Sequence, residues 1–151
     1  SAREGRSDVV EISAIQVSEL GGEPATIAEL DAVRRWDFSQ EELSGSVVFI
    51  AYVDGEAIGY ATAAVKFFGR GFVWMLAVDP VYRRRGVATA LMRRAEQWCP
   101  SDQLFTSTNR SNVPAQRLFE SLGYLESGTV DNLDPGDPEV FYCLTLKGDP
   151  G

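Results

Sequence analysis

Residues 72–98 constrain this chain more than any other stretch, running FVWMLAVDP, VYRRRGVATA and LMRRAEQW in succession. Phe72 to Val78 is apolar and reads as a strand. Val87, Leu91, Ala95 and Trp98 then fall at i, i+4, i+8 and i+11, which is one face of a helix from about Gly86 to Trp98. Between them stand three consecutive arginines and Gly86. Cations oppose the positive end of a helix macrodipole, where acids are normally favoured, so an anion is expected over this turn. Free backbone N–H groups, a glycine allowing close approach and adjacent guanidinium groups suit a phosphate.

The flanking segments fit an α/β domain. Val9 to Val17 alternates as a strand, and Gly21-Gly22 breaks it. Pro24 opens a helix with Ile27, Leu30 and Val33 on its apolar stripe, ending near Arg35. Ser39 and Glu42 have capping-box spacing for a short second helix. Trp36-Asp37-Phe38, between these helices, reads as core or lid packing before a substrate contact. Val47 to Val53 and Glu56 to Phe68 form a hairpin across Asp54-Gly55, and Gly59 predicts a bulge or close backbone approach. Phe68 to Gly71 is a further turn, leading into the strand from Phe72.

After the central helix, Leu104 to Thr108 is a short strand, so strand–helix–strand implies a parallel pair with a right-handed crossover. Asn112 caps a helix with Pro114 in its first turn, Ala115, Leu118, Phe119 and Leu122 on its apolar stripe, and Gly123 at its exit. Tyr124 to Val130 and Glu139 to Lys147 are two last strands around the acidic loop DNLDPGDP. One domain is expected over residues 9–147, after a disordered or appended lead-in (1–8) and before a short tail (148–151).

Charge and composition narrow the chemistry. The 151 residues carry a net charge of −8, with 14 basic and 22 acidic residues. That argues against non-specific binding to nucleic acid or an anionic membrane. Five of the 14 basic residues (Arg83, Arg84, Arg85, Arg93, Arg94) nevertheless lie within one twelve-residue window. There is no histidine, which excludes histidine bases, Ser-His-Asp triads and His-ligated zinc. Cys99 and Cys143 form no CxxC pair or disulfide framework and read as packing residues in a reducing cytoplasm. No metal site is expected. The polar N-terminus has no signal-peptide core, and the longest apolar run, Val47 to Val53, is too short to span a bilayer.

Two blocks carry a family resemblance. Leu76-Ala77-Val78-Asp79-Pro80 followed by Arg83-x-x-Gly86-x-Ala88 resembles the acyl-CoA-binding motif of the GNAT N-acetyltransferases, Gln/Arg-x-x-Gly-x-Gly/Ala. Asn112-x-x-Ala115-x-x-Leu118-Phe119-Glu120-x-Leu122-Gly123-Tyr124 resembles that family's second helix and its exit. The order LAV, RRxGxATAL, PAxxLFxxLG also resembles the aminoglycoside 3-N-acetyltransferases within the family. The resemblance implies a mixed central sheet with an antiparallel meander, a splayed parallel strand pair and flanking helices. It implies acetyl-CoA as co-substrate and a primary amine, a small cationic one favoured, as acceptor. Backbone groups of Leu76 to Val78 would meet the pantetheine and acetyl carbonyl. Arg83, Arg84, Arg85, Gly86, Val87, Ala88 and Thr89 would wrap the pyrophosphate, and Asn112 would bond the pantetheine arm.

The chain departs from that pattern at two places. Phe119 stands where many relatives carry a tyrosine that serves the departing thiolate. Ser107 stands where some carry a glutamate base. Candidate substitutes lie in and after the acidic loop: Glu139 or Asp137 as base and Tyr142 as acid, against the alternative that these residues only form the turn. The competing readings are a non-catalytic acyl-CoA-binding domain, a protein N-terminal or lysine acetyltransferase, and a phosphate-binding module for another ligand. A homodimer is the default assembly.

Overall fold

The computed structural model describes residues 9–16, 27–36 and 45–147. Seven strands, β1 (Glu11–Gln16), β2 (Val47–Val53), β3 (Glu56–Phe67), β4 (Arg70–Val78), β5 (Gln103–Asn109), β6 (Leu125–Val130) and β7 (Glu139–Thr145), form one sheet in the order β1-β2-β3-β4-β5-β7-β6. The helices are α1 (Ile27–Arg35), α2 (Val87–Trp98) and α3 (Val113–Ser121). The expected α/β class and mixed sheet are what the fold shows. Val17, Gly21-Gly22, Pro24, Asp37, Phe38 and the Ser39/Glu42 helix lie outside the described residues, as do residues 1–8 and 148–151. Among the described residues no helix is long and apolar enough to cross a membrane.

The chain divides into two compact units, Ser1–Ala63 with Met75–Ala95 and Ala64–Trp74 with Glu96–Gly151. In the first, β1 and β2 pair antiparallel from Glu11↔Tyr52 to Gln16↔Val47. Ile15, Val48, Ile50 and Ala57 are buried with Ala32 of α1, and Arg35 donates to the Ala57 carbonyl at 3.0 Å. The β2–β3 turn has Asp54 and Gly55 both at positive φ (50° and 79°), as a two-residue hairpin requires. On α2, Val87, Leu91, Met92 and Ala95 are buried, because the apolar stripe of the sequence faces the core.

In the second unit, β4 runs parallel to β5 over Gly71–Val73 against Leu104–Thr106. β7 is antiparallel to both β5 and β6. The turn before β4 is tighter than the sequence suggests: Phe68 (φ 52°) and Gly69 (φ 76°) make the whole turn, so β4 starts at Arg70. Gly71 is a strand residue, and a Cβ there would collide with the Cys99 sulfur. α3 ends in a Schellman motif, Tyr124 N–H to Phe119 carbonyl at 3.0 Å and Gly123 N–H to Glu120 carbonyl at 3.1 Å. That motif takes Tyr124, so β6 begins one residue later.

Candidate active site

Asp79 sets the basic turn of the first unit. Its N–H donates to the Ile58 carbonyl at 2.7 Å, and its Oδ1 accepts from the Val81 N–H at 3.0 Å. Ile58 is the extra residue of a bulge, since Ala51 faces Gly59 while Tyr52 faces Ala57. The missing side chain of Gly59 matters here, because a Cβ would lie 2.9 Å from the Ala77 carbonyl oxygen and 3.3 Å from Val87 Cγ1. The bulge and close approach expected at Gly59 therefore both occur, and they hold the end of β4 and the start of α2.

The backbone then turns through a short helical turn at Pro80–Tyr82 and left-handed conformations at Arg84 (φ 62°) and Gly86 (φ 80°). Ala90 N–H makes the first helical bond, to Gly86 at 2.9 Å, so the N–H groups of Val87, Ala88 and Thr89 precede the helical ladder. Arg83 to Gly86 are all exposed. Among the described residues Arg83 and Arg84 make no ion pair. The Arg85 guanidinium lies over the Tyr82 ring, 5.4 Å from its centroid. This is three cations and a row of helix-start donors around one turn, the arrangement an anion needs. A cavity of about 300 Å³ is lined by Ala77, Val78 and Pro80 with Arg35, Trp36 and Tyr60. The Trp36 and Tyr60 rings touch, 4.8 Å between centroids, so packing accounts for Trp36 as the sequence suggests.

In the second unit, Asn112 caps α3, its Oδ1 accepting from the Ala115 N–H at 3.2 Å. Asn112 is exposed. The acidic loop is tied down. Asp137 grips Ser111 with both carboxylate oxygens, from the N–H (2.9 Å) and the hydroxyl (2.5 Å), and Asp134 accepts from Asn109 Nδ2 at 2.8 Å. Arg110 N–H donates to the Pro138 carbonyl at 2.8 Å. Glu139, the first residue of β7, accepts from the Ser107 hydroxyl at 3.3 Å. The structure therefore brings Glu139 to Ser107, and it engages Asp137 with the backbone of the β5–α3 turn.

Tyr142 points the other way. It is 1% exposed, with its ring 5.4 Å from that of Phe119, which is itself 3% exposed and 6.1 Å from Tyr124. The Tyr124 hydroxyl donates to Glu96 at 2.9 Å. Burial first, then the nearby Glu120 and Glu126 carboxylates, push the Tyr142 pKa above its ordinary value of 10.0. Its neutral form thus stabilises the fold fully below about pH 10, and that contribution is lost as pH rises through the raised value. We expect the melting temperature to fall above about pH 10, and Tyr142→Phe to flatten the fall in a pH series of thermal melts. An unaltered slope would contradict this. Burial likewise raises the Cys143 thiol, in keeping with a packing role. Among the described residues no group of three or more His, Cys, Asp or Glu is placed to hold a metal.

Sequence reasoning missed Ser107 as a partner of Glu139, and Asn109 and Ser111 as anchors of the acidic loop. The available signal was register. Facing β5 with β7 puts Ser107 opposite Phe141 and Asn109 opposite Glu139, so odd-numbered residues of both strands share a face.

The acetyltransferase (GNAT) family pattern matches residues 10–124, well over half of the chain. N-alpha-acetyltransferase 30 of Xenopus laevis is 36% identical over 86 residues, 51% of this chain and 31% of that protein. Aminoglycoside N(6')-acetyltransferase type 1 of Salmonella typhimurium is 30% identical over 93 residues, 54% of this chain and 64% of its own length. Among solved structures, a GNAT-family acetyltransferase from Bacillus cereus superposes with a TM-score of 0.69 at 29% identity, over 91% of this chain and 97% of its own. The chain thus spans under two thirds of the curated relatives it matches. With two motif blocks in order, a matching mixed sheet and a family pattern covering residues 10–124, the chain belongs to the GNAT acetyltransferase family.

Proposed function

We propose that the protein is an acetyl-CoA-dependent N-acetyltransferase that moves an acetyl group to a primary amine by direct transfer in a ternary complex. The observation that carries this reading is the turn at residues 83–89. Its left-handed Arg84 and Gly86 bring three exposed arginines to the start of α2, whose first N–H groups precede the helical ladder. A pyrophosphate would take charge-assisted bonds there, from the backbone chiefly and from the arginines in part. The backbone of Leu76 to Val78 is assigned to the pantetheine and acetyl carbonyl, a strand N–H stabilising the developing oxyanion. The exposed amide of Asn112 is assigned to the pantetheine arm, alongside its capping role.

In the reaction, the amine nitrogen forms a bond to the thioester carbonyl carbon and the carbon–sulfur bond breaks. An alkylammonium with a pKa near 10.4 must first lose a proton, and Glu139 is assigned as the acceptor of that proton, directly or through water. Asp137 is assigned to holding the loop, because both its oxygens are engaged by Ser111. Tyr142 is the remaining hydroxyl candidate near Phe119; without it the departing thiolate takes its proton from water.

Replacing Arg83 and Arg84 together by alanine is expected to weaken acetyl-CoA binding about 10- to 100-fold by calorimetry, the equivalent of one charge-assisted bond of about 1.5–3 kcal/mol shared between them. The melting temperature of the free protein should be unchanged, since both side chains are exposed. Unchanged affinity would remove these two side chains from the donor site.

A further inference from the structure

One face of the second unit is aromatic. β5 and β7 present Phe105, Ser107, Glu139 and Phe141 on the same side by their register. Phe72 pairs with Phe105 across the parallel strands, so Phe72 and Trp74 of β4 share that side. The rings form one cluster. Phe67 stacks on Phe141 (5.7 Å, 17°) and meets Phe105 at 5.0 Å, while Phe72 touches both Trp74 and Phe141. Trp74 is 51% exposed and Phe68 82%, an unusual display for residues of this size. A cavity of about 320 Å³ opens in this face, lined by Phe67, Phe68, Phe105 and Phe141 together with Ser127, Gly128, Thr129 and Val130 of β6. That is the lower end of small-molecule pocket sizes.

Register places an acid beside the cavity lining. Val130 faces Glu139 across the β6–β7 ladder, and Phe141 lies two residues further along the same face of β7, about 7 Å away. The Ser107 hydroxyl, opposite Phe141, holds the Glu139 carboxylate at 3.3 Å. A carboxylate next to a largely apolar, ring-lined cavity is complementary to a ligand with a cationic amine at one end and an apolar body behind it. Resting on the acetyltransferase reading above, we propose that this cavity seats the acceptor. The ammonium group lies at Glu139, and a compact aliphatic or aromatic group lies against Phe67, Phe105 and Phe141. The occupant is an apolar amine, and a wholly polar polycation does not fit this lining. Ser107 is then a positioning residue, setting the carboxylate that faces the amine.

The test is a binding comparison that needs no turnover. Calorimetry on the full chain with CoA present uses 2-phenylethylamine against 2-(2-methoxyethoxy)ethylamine, two monocations of similar size at neutral pH. Burying the ring predicts at least about ten-fold tighter binding of the aromatic amine. Phe141→Ala should remove most of that preference, and Phe68→Asn, at an exposed left-handed position that asparagine accepts, should weaken it with no cost to folding. Acetyl-CoA affinity should be unchanged in both. Equal binding of the two amines would overturn the proposal, as would a preference that survives both substitutions. So would a preference that disappears on dilution of the protein, since a second copy would then be covering the face. Absence of thiol release with these and other primary amines would end the acetyltransferase reading, while the binding preference still decides this one.

Discussion

Glu139→Gln is expected to lower kcat/KM about 10²- to 10⁴-fold while leaving the affinity for acetyl-CoA unchanged, the range lost when a positioned proton acceptor is removed. The amide keeps the shape of the side chain and can still accept from Ser107, so the geometry of β5 and β7 persists. What goes is the negative charge. Without it, nothing at that position takes the ammonium proton or attracts the cation. Ser107→Ala should cost far less, because it frees the carboxylate without removing it. Asp137→Asn should act differently again, lowering the melting temperature through the Ser111 clamp more than it lowers turnover. A kcat/KM within about three-fold of wild type for Glu139→Gln would remove it from the chemistry.

Phe119→Ala is expected to be the most destabilising single change among the candidate residues. The ring is 3% exposed and lies against Tyr142 and Tyr124, so its removal leaves a cavity beneath α3. Such truncations cost about 3–5 kcal/mol. For a chain of this length that corresponds to a drop of about 6–20 °C in melting temperature. The effect should appear equally in free and CoA-bound protein if the ring serves packing alone. A drop of under about 2 °C would mean that α3 is not held by this cluster. Phe119→Leu, which refills most of the volume, should recover much of the loss.

Most of the architecture is legible in the sequence because its signals are local. Asp54-Gly55 specifies a two-residue hairpin, Asn112 and Gly123 bracket a helix, and the stripe from Val87 to Ala95 declares which face is buried. Boundaries moved where a neighbouring motif competes for the same residues, as when the Schellman exit of α3 absorbs Tyr124 or the Phe68-Gly69 turn releases Arg70 to β4, and the ends of β1, β5 and β7 also shift by one or two residues. The basic turn proposed to hold the donor is legible for a similar reason. Its cations, its glycine and its helix start are contiguous in the chain.

The proposed acceptor side is not local, which hides it in the sequence. Glu139 looks like one acid among several in DNLDPGDPE until β5 is laid beside β7, which brings it to Ser107, 32 positions away. Asp137 has the same composition-level credentials, yet its carboxylate is occupied by Ser111. The aromatic face joins four rings from residues 67–74 to Phe105 of β5 and Phe141 of β7, and only strand pairing brings these last two to the rest. Register across four strands decides which acid is free and which rings meet.

The account stands most directly on one measurement: release of CoA thiol from acetyl-CoA by the full chain, followed with and without 2-phenylethylamine, with the N-acetylated amine quantified by mass spectrometry. The predicted result is amine-dependent release, one thiol for each acetylated amine, sharply reduced in Glu139→Gln. Saturable acetyl-CoA binding with no acetylated product from this or any primary amine would contradict it, and would leave a GNAT domain that holds its donor without transferring the acetyl group.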